Sequence, residues 1–526
     1  MPVHTADLDQ PAAPARLARA TERTPAHWAL RTLAVSFGAM LLAFGFTASG
    51  RWWAVPLGVA AVVVSVFGAR FRQATALGAW GGMLFAVVNL GWLTSVGIDA
   101  AMAMAILFSA WWAVTALAIR IVLNLTLWPL LVPTVWVGQE WARSTWPLGG
   151  FPWARLGYAS VESPLANWIP FLGVYGMTFV LAALGTGLAA AVLWRGRRRV
   201  AAGVAIVAVV AVAAVVTGSG ASLRPGLDPR GRVFDVAVVQ GGPQQGVGLD
   251  QARAVLTAHA AQTRALASRG DTPYGLVLWP ESSTDIDPFV DVWARAEIES
   301  AVSAIDAPIV VGAVTGVPSE LGRVRNQAIA WLPATGPGAS YTKRQLVPFG
   351  EYVPARGLLE RLSSRFADVP RDFVAGDDQP VLQVGRISLG VLICFEVAFD
   401  DRVRDAINAG ATILAVPSNN ATYQGTAQPG QQLEIARFRA LETRRAVLVA
   451  STTGVSAIVD RQGDVMASLE DGGAGVLVGS VTASTEVTTA VRWGGALGGI
   501  LALVAFASLA MGTRRSLQSR NDRRRG

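Results

Sequence analysis

The chain has 526 residues, 52% of them hydrophobic and only 15% charged, and carries a formal net charge of +8. Such a hydrophobic share belongs to integral membrane proteins. The positive charge sits beside apolar runs, so it reads as membrane topology and not as nucleic-acid binding. Cys394 is the only cysteine, which excludes an internal disulfide and a Cys-rich metal site. Histidine occurs only at positions 4, 27 and 259. A histidine-assisted nucleophile in the soluble part of the chain could therefore draw only on His259, which reads as a helix-surface residue. No metal or cofactor is expected.

In chain order, residues 1–27 are rich in Ala, Pro, Thr and Arg and lack an apolar face. They read as a disordered cytoplasmic tail without a cleavable signal. Apolar spans follow at 28–49, 52–69, 73–97, 100–119, 121–142, 166–194 and 200–217, with an eighth at 493–513. Each is near the ~20 residues that a bilayer requires. Arg120 is the charge that separates the fourth span from the fifth. Arginines gather around alternate ends of the spans: Arg16, Arg19, Arg23 and Arg31, then Arg70 and Arg72, Arg120, Arg195 to Arg199, and Arg514 onward. By the positive-inside rule both termini are cytoplasmic, including a basic tail at 514–526, and the 218–492 segment faces outward. Between the fifth and sixth spans runs an aromatic loop containing Glu140, Arg143, Trp146, Phe151, Trp153, Arg155 and Tyr158. It reads either as an aromatic belt at the membrane surface or as a rim where Arg143 or Arg155 meets a phosphate.

Residues 218–492 change character. Short β-branched runs at 233–240, 274–279, 308–314, 387–393, 411–416 and 446–450 read as strands. Stretches 249–268, 290–303, 400–409 and 429–443 read as amphipathic helices. The alternation predicts one layered α/β domain with helices outside. The expected whole is a membrane α-helical bundle of about eight transmembrane helices carrying an extracytoplasmic α/β domain.

Three segments of that domain carry chemistry. Leu276 to Glu281 is a strand ending in a carboxylate. The segment from Tyr341 to Tyr352 contains Lys343, the single lysine among 44 basic residues. Ile387 to Glu396 is an apolar strand that delivers Cys394 at its end, followed by Phe395 and Glu396. Arginine cannot replace a compact ammonium whose pKa shifts readily, so one lysine among so many arginines points to a chemical role. A thiol needs a base or a neighbouring cation to react. Without histidine, Glu281 can take the proton and Lys343 can stabilise developing negative charge. The bland alternatives are a core cysteine in an apolar strand and a surface lysine.

These segments resemble the Glu-Lys-Cys signature of the nitrilase, or carbon–nitrogen hydrolase, superfamily. The W-P-E, K-R-x-L-V-P-F-G-E-Y and C-F-E elements, set between seven spans and an eighth, resemble the apolipoprotein N-acyltransferase family in particular, as does the G-G-F-P-W-x-x-L-G-Y stretch at 149–158. The resemblance implies an αββα sandwich, and acyl transfer from a phospholipid to the α-amine of a diacylglyceryl-cysteine N-terminus of a lipoprotein. It implies Glu281 as base, Lys343 and the Phe395 N–H as oxyanion donors, Cys394 as nucleophile, Glu351 and Glu396 as supports for Lys343 and the base, and Asn326 near the site. It also implies a monomer in a bacterial inner membrane. One stretch departs from the family: Ser418-Asn419-Asn420-Ala-Thr-Tyr423 stands where S-N-D-x-W-F is usual. Two other functions remain open, a membrane-tethered amidase of small amides and an inactive membrane scaffold. Eight spans beside a thiol favour a lipid donor over the first, and the intact single Lys and single Cys argue against the second.

Overall fold

The computed structural model describes residues 25–46, 51–194, 231–270, 273–320, 322–362 and 371–525, with Gly196 and Ala201. Residues 1–24 of the tail expected over 1–27, and the expected span 200–217 apart from Ala201, lie outside the described residues; Pro25 to His27, expected in the tail, instead open the first helix. Six helices come first: α1 (Pro25–Gly45), α2 (Ala54–Val66), α3 (Phe71–Asn89), α4 (Ile98–Val122), α5 (Trp128–Arg143) and α6 (Ile169–Leu193). Among the described residues four stretches are long and apolar enough to cross a membrane: Ala26–Gly45, Ile98–Val122, Ala166–Leu193 and Thr489–Gln518. Ala54–Val66 is apolar but shorter. Glycine lets α3 and α4 pack backbone to backbone. A Cβ at Gly78 would lie 2.4 Å from the Trp112 carbonyl oxygen, and one at Gly82 2.6 Å from that of Phe108.

The break after the fourth helix falls later than expected. Helix α4 runs through Arg120 to Val122. A long arginine can turn its head group to a helix end without breaking the helix: the Arg120 guanidinium reaches the Ala69 carbonyl and Asn124 Oδ1. Asn124 in turn donates to Ser516 at 3.2 Å, and Arg31 donates to the carbonyls of Ser65 (2.6 Å) and Phe67 (2.8 Å). Arginines thus cap one end of the bundle. The other end meets the α/β domain.

That domain contains β1 (Val233–Gln240), α7 (Leu249–Ala267), β2 (Leu276–Leu278), α8 (Val292–Ile305), β3 (Ile309–Gly316), β4 (Val324–Leu332), β5 (Gly336–Thr342) and α9 (Arg356–Leu362). It continues with β6 (Val381–Val384), β7 (Ile387–Val391), α10 (Asp400–Asn408), β8 (Ile413–Ser418), α11 (Gln428–Thr443), β9 (Val447–Ser451), β10 (Ser456–Val459), β11 (Val465–Leu469) and β12 (Gly475–Thr482). Helix α12 (Thr489–Arg525) returns to the bundle, and the expected basic tail is its last turns. Two six-stranded sheets form, ordered β12-β1-β2-β3-β4-β5 and β11-β10-β9-β8-β7-β6. The strands in which the thiol and one carboxylate originate pair in parallel: β1 with β2 and β2 with β3, β7 with β8 and β8 with β9.

Period-two alternation explains the layering. Val236, Val238, Leu276 and Leu278 face Leu389, Val391, Ala415 and Leu448 across the inter-sheet core. Their neighbours Ala237, Val239, Val277 and Trp279 pack instead on Leu256, Ala260 and Ile298 of α7 and α8. On the opposite side Leu414, Val416 and Val449 pack on α10 and α11, and that layer is continuous with the helical bundle. The result is an αββα sandwich whose second helical layer rests on the bundle.

Candidate active site

Parallel strands present their carboxyl ends together, and three chain segments leave the sheets at such ends, two from the first sheet and one from the second. Glu281 follows β2 by three residues and Lys343 follows β5 directly. The Lys343 N–H donates to the Asn326 carbonyl of β4 at 2.8 Å. Lys343 Nζ lies 2.9 Å from Glu281 Oε1 and 2.9 Å from Glu351 Oε1. Asn326 Nδ2 donates to the same two oxygens, at 2.6 Å and 3.0 Å. Glu281 Oε2 accepts the Asn419 N–H at 2.8 Å, and Glu351 Oε2 accepts the Val347 N–H at 2.7 Å. Among the described residues every hydrogen-bond partner of the Glu281 carboxylate is an N–H donor. Lys343 is 1% exposed, so its charge depends on those partners. Burial works against the ammonium, but the Glu281 and Glu351 carboxylates outweigh it and hold Lys343 protonated, well above the ordinary lysine value.

Cys394 opens a short 3-10 turn, Cys394–Ala398, after β7. Its φ is +53°, a left-handed conformation that costs a non-glycine residue energy and persists only where its surroundings impose it. The residue is partly exposed. Burial of the sulfur, reinforced by Glu281, pushes the thiol up to about 12, with Lys343 acting in the opposite direction. Cys394 is therefore a neutral thiol at rest, and it needs a base. Gln432 Nε2 lies 3.7 Å from the sulfur and 3.1 Å from Ser418 Oγ.

Glu396 serves differently from the expected support of the lysine side chain. Among the described residues its carboxylate has no hydrogen bond to Lys343 Nζ or to Glu281. It accepts the N–H groups of Arg344 (2.8 Å), Gln345 (3.0 Å) and Ile393 (2.8 Å) and the Tyr341 hydroxyl (2.9 Å). One buried carboxylate thereby ties the backbone beside the lysine to the backbone before the cysteine. Burial raises its pKa, and those backbone N–H groups oppose the rise.

The aromatic loop does not offer Arg143 or Arg155 as a phosphate rim, although Trp146 is 66% exposed, as a membrane-surface belt would have it. Arg143 donates to the carbonyls of Phe151 (2.6 Å) and Trp153 (2.7 Å) within its own loop. Arg155 is 0% exposed and paired with Asp400. Both arginines are consumed internally, which corrects the phosphate reading. The loop reaches the site instead: Phe395 packs against Phe151 and Trp153, with ring centroids 5.8 and 6.1 Å apart. Gln431 accepts the indole N–H groups of Trp92 (3.1 Å) and Trp153 (2.7 Å) and donates to the Asn89 carbonyl (3.0 Å), joining α11 to the bundle. His259, expected on a helix surface, is 1% exposed and packs behind Trp279; burial lowers its pKa to about 4, so it is neutral.

Residues 38–187 match the model of the apolipoprotein N-acyltransferase N-terminal domain, and residues 235–490 that of the carbon–nitrogen hydrolase family. The chain is 35% identical over 458 residues to an apolipoprotein N-acyltransferase of Mycolicibacterium smegmatis, spanning 81% of this chain and 75% of that protein. The chain belongs to the apolipoprotein N-acyltransferase family. Proteins of the same name from Pseudomonas syringae (32% identity, 69% of this chain and 70% of that one) and Bordetella bronchiseptica (31%, 71% and 72%) are also similar. Among solved structures an amidase from Nesterenkonia sp. aligns with 51% of this chain and 95% of its own at 21% identity, with a TM-score of 0.37.

Within this N-acyltransferase chain the departure at 418–423 has a structural counterpart. Asn420 is 1% exposed, and its Nδ2 donates to Oε1 of Gln428 (2.7 Å) and Gln432 (2.8 Å), while its Oδ1 accepts from Ser451 (2.7 Å). An amide can fill both roles, whereas a carboxylate cannot donate. Tyr423 stacks edge-on against Trp92 of the bundle, centroids 5.1 Å apart. Gln431, Gln432 and the Asn419 N–H were not foreseen. A polar residue on a mostly polar helix gives no signal until the fold shows which face it occupies.

Proposed function

We propose that the chain is a ping-pong acyltransferase that moves a fatty acyl group from a phospholipid to the α-amine of a lipoprotein's N-terminal diacylglyceryl-cysteine. The observation that carries the proposal is the convergence of Cys394, Lys343 and Glu281 beyond the ends of strands from both sheets, close enough to act on one another's charge, in a chain from this family. Glu281 takes the Cys394 proton, and the thiolate attacks the phospholipid ester carbonyl. The oxyanion is held by the Phe395 N–H and Lys343. Two of the three lysine N–H bonds end on Glu281 and Glu351, which leaves one for the oxyanion. The intermediate collapses as Glu281 returns its proton to the leaving lysophospholipid oxygen, giving a thioester on Cys394. The acceptor amine then attacks the thioester and loses its proton to Glu281, and the thiolate departs and is reprotonated.

In this reading Glu351 and Asn326 fix the lysine and the base, and Glu396 fixes the backbone on both sides of the site. The domain boundaries follow the sequence: a helical region over 28–217, the hydrolase-like domain over 218–492, and a final span near 493–513. About eight helices cross a bacterial inner membrane, the capped arginine end and both termini face the cytoplasm, the catalytic domain lies outside it, and the chain works as a monomer. The test mixes purified full-length protein with a phospholipid labelled in one acyl chain and a synthetic diacylglyceryl-cysteinyl peptide. The expected products are lysophospholipid and an N-acylated peptide in equal amounts. Fatty acid in place of N-acyl peptide contradicts the proposal.

A further inference from the structure

The Cys394 turn is held at its far end by charges that the reaction above does not use. A 3-10 turn of this length leaves its last carbonyls without partners inside the turn. Here those of Val397 and Ala398 receive an unusual set of donors. Arg439 Nε donates to the Val397 carbonyl at 2.8 Å. The Ala398 carbonyl accepts Arg155 Nη2 (2.8 Å), Arg439 Nη2 (2.9 Å) and the Tyr158 hydroxyl (3.0 Å). Both arginines are 0% exposed. Asp400, two residues after the turn, joins them: Arg155 grips it with two bonds of 2.6 and 2.8 Å, and Arg439 meets it at 2.7 Å. Glu442, 2.5 Å from Arg439, supplies the second negative charge, so two cations face two anions.

Two features make this more than a structural ion pair. Arg155 and Tyr158 belong to the loop between α5 and α6, so the helical bundle itself holds the end of the turn that presents the thiol. The turn also begins with a left-handed cysteine. Glu396 fixes the residue before it through the Ile393 N–H, and the arginines fix the last two residues. Such a conformation needs restraint from both sides. The planar forks matter, because each guanidinium spreads its bonds from separate nitrogens over a carbonyl and a carboxylate, a span that the single nitrogen of an ammonium does not cover.

We propose that Arg155, Arg439 and Tyr158 are positioning residues that set the Cys394 thiol against Glu281 and Lys343, so that the membrane bundle completes the catalytic geometry. This rests on the reading of Cys394 as the nucleophile. The test uses full-length Tyr158→Phe, which keeps the ring and removes one donor, and Arg155→Lys, which keeps the charge and removes the fork. Two rates are measured on folded protein: acylation of Cys394 by phospholipid in a single turnover, and alkylation of Cys394 by iodoacetamide against pH, which needs no lipid.

A loosened turn lets water reach the sulfur. Alkylation is therefore expected to gain a plateau near the free-thiol value of about 8.5. Acylation is expected to fall, by about 10²-fold in Arg155→Lys, on the scale of a 1 Å misplacement, and by less in Tyr158→Phe, with the phospholipid KM unchanged. A more ionisable but less productive thiol is not what simple destabilisation gives, since unfolded molecules appear as a separate fast-reacting fraction. If Arg155→Lys does not fold, Tyr158→Phe decides. An alkylation profile and acylation rate equal to the parent's in the folded variant overturn the proposal. If the parent is never acylated by phospholipid, the acyltransferase reading fails, while the alkylation profiles still decide the role of the clamp.

Discussion

A lysine ammonium offers three N–H donors, and at Lys343 two of them already end on carboxylates. That count sets what substitution should do. In Lys343→Arg the charge survives and donors are added, but the larger planar fork cannot occupy the buried point where one nitrogen meets both carboxylates and the oxyanion, so acylation should fall by at least about 10²-fold, the scale for loss of an oxyanion donor. Single-turnover acylation measures this, and a rate within a few-fold of the parent removes lysine from the chemistry. Glu281→Gln keeps the shape and the contact to the Asn419 N–H but cannot accept a proton. Acylation should slow by roughly 10²–10⁴-fold, as for a lost general base, and normal speed would require another base. The thiol gives a pH test. With Cys394 pushed up to about 12, it is neutral below that value, and only the small thiolate fraction alkylates. The rate in the parent protein should rise about tenfold per pH unit from about pH 7 to about pH 10, without the plateau of a free thiol near 8.5. Cys394 and Lys343 were legible in the sequence because each is the sole residue of its type. Glu396 was legible only as a support, since three of its four partners lie more than 50 residues earlier, Tyr341 in β5 and Arg344 and Gln345 just after it.

Among elements, the strands that carry the parallel core were readable from β-branched runs. Strands β4, β5, β6, β10, β11 and β12 were not. β5 reads Gly-Pro-Gly-Ala-Ser-Tyr-Thr and is half-buried at its first two residues and exposed at the next three, so it shows no apolar alternation, and β11 at a sheet edge is mostly exposed. What β5 contributes is its end, where Tyr341 is buried and bonded to Glu396. Tyr341→Phe removes that donor while the Arg344 and Gln345 N–H groups still satisfy the same oxygen. The expected cost is about 1 kcal/mol in a urea unfolding curve, with acylation within about tenfold of the parent. A loss of acylation comparable to that of Glu281→Gln would mean that the phenol takes part in the reaction. The helical pattern had its own limit. Arg120 looked like a break between spans because a charge in an apolar run usually marks a loop, yet its side chain reaches the helix end and the helix continues.

At the scale of the molecule, bundle and hydrolase-like domain share one apolar core on the α10–α11 side, and the aromatic loop closes against Phe395. Composition announced a membrane protein and motifs announced the chemistry. The joint between them was invisible, because it depends on Gln431 meeting Trp92 and Trp153, and Arg155 meeting Asp400, across hundreds of residues. Arginines cap the bundle end opposite this joint, so the positive-inside rule predicts that the domain lies outside the cytoplasm. A cysteine introduced at Ser300, in a Cys394→Ser background, should react with a membrane-impermeant maleimide in intact cells; labelling only after lysis would reverse the orientation. The most direct measurement of the central claim is on Cys394 itself. Full-length protein incubated with phospholipid and no acceptor should carry a fatty acyl group on the peptide containing Cys394, released by neutral hydroxylamine and discharged onto the amine of an added diacylglyceryl-cysteinyl peptide. Absence of the adduct, or an adduct that passes only to water, would contradict the account.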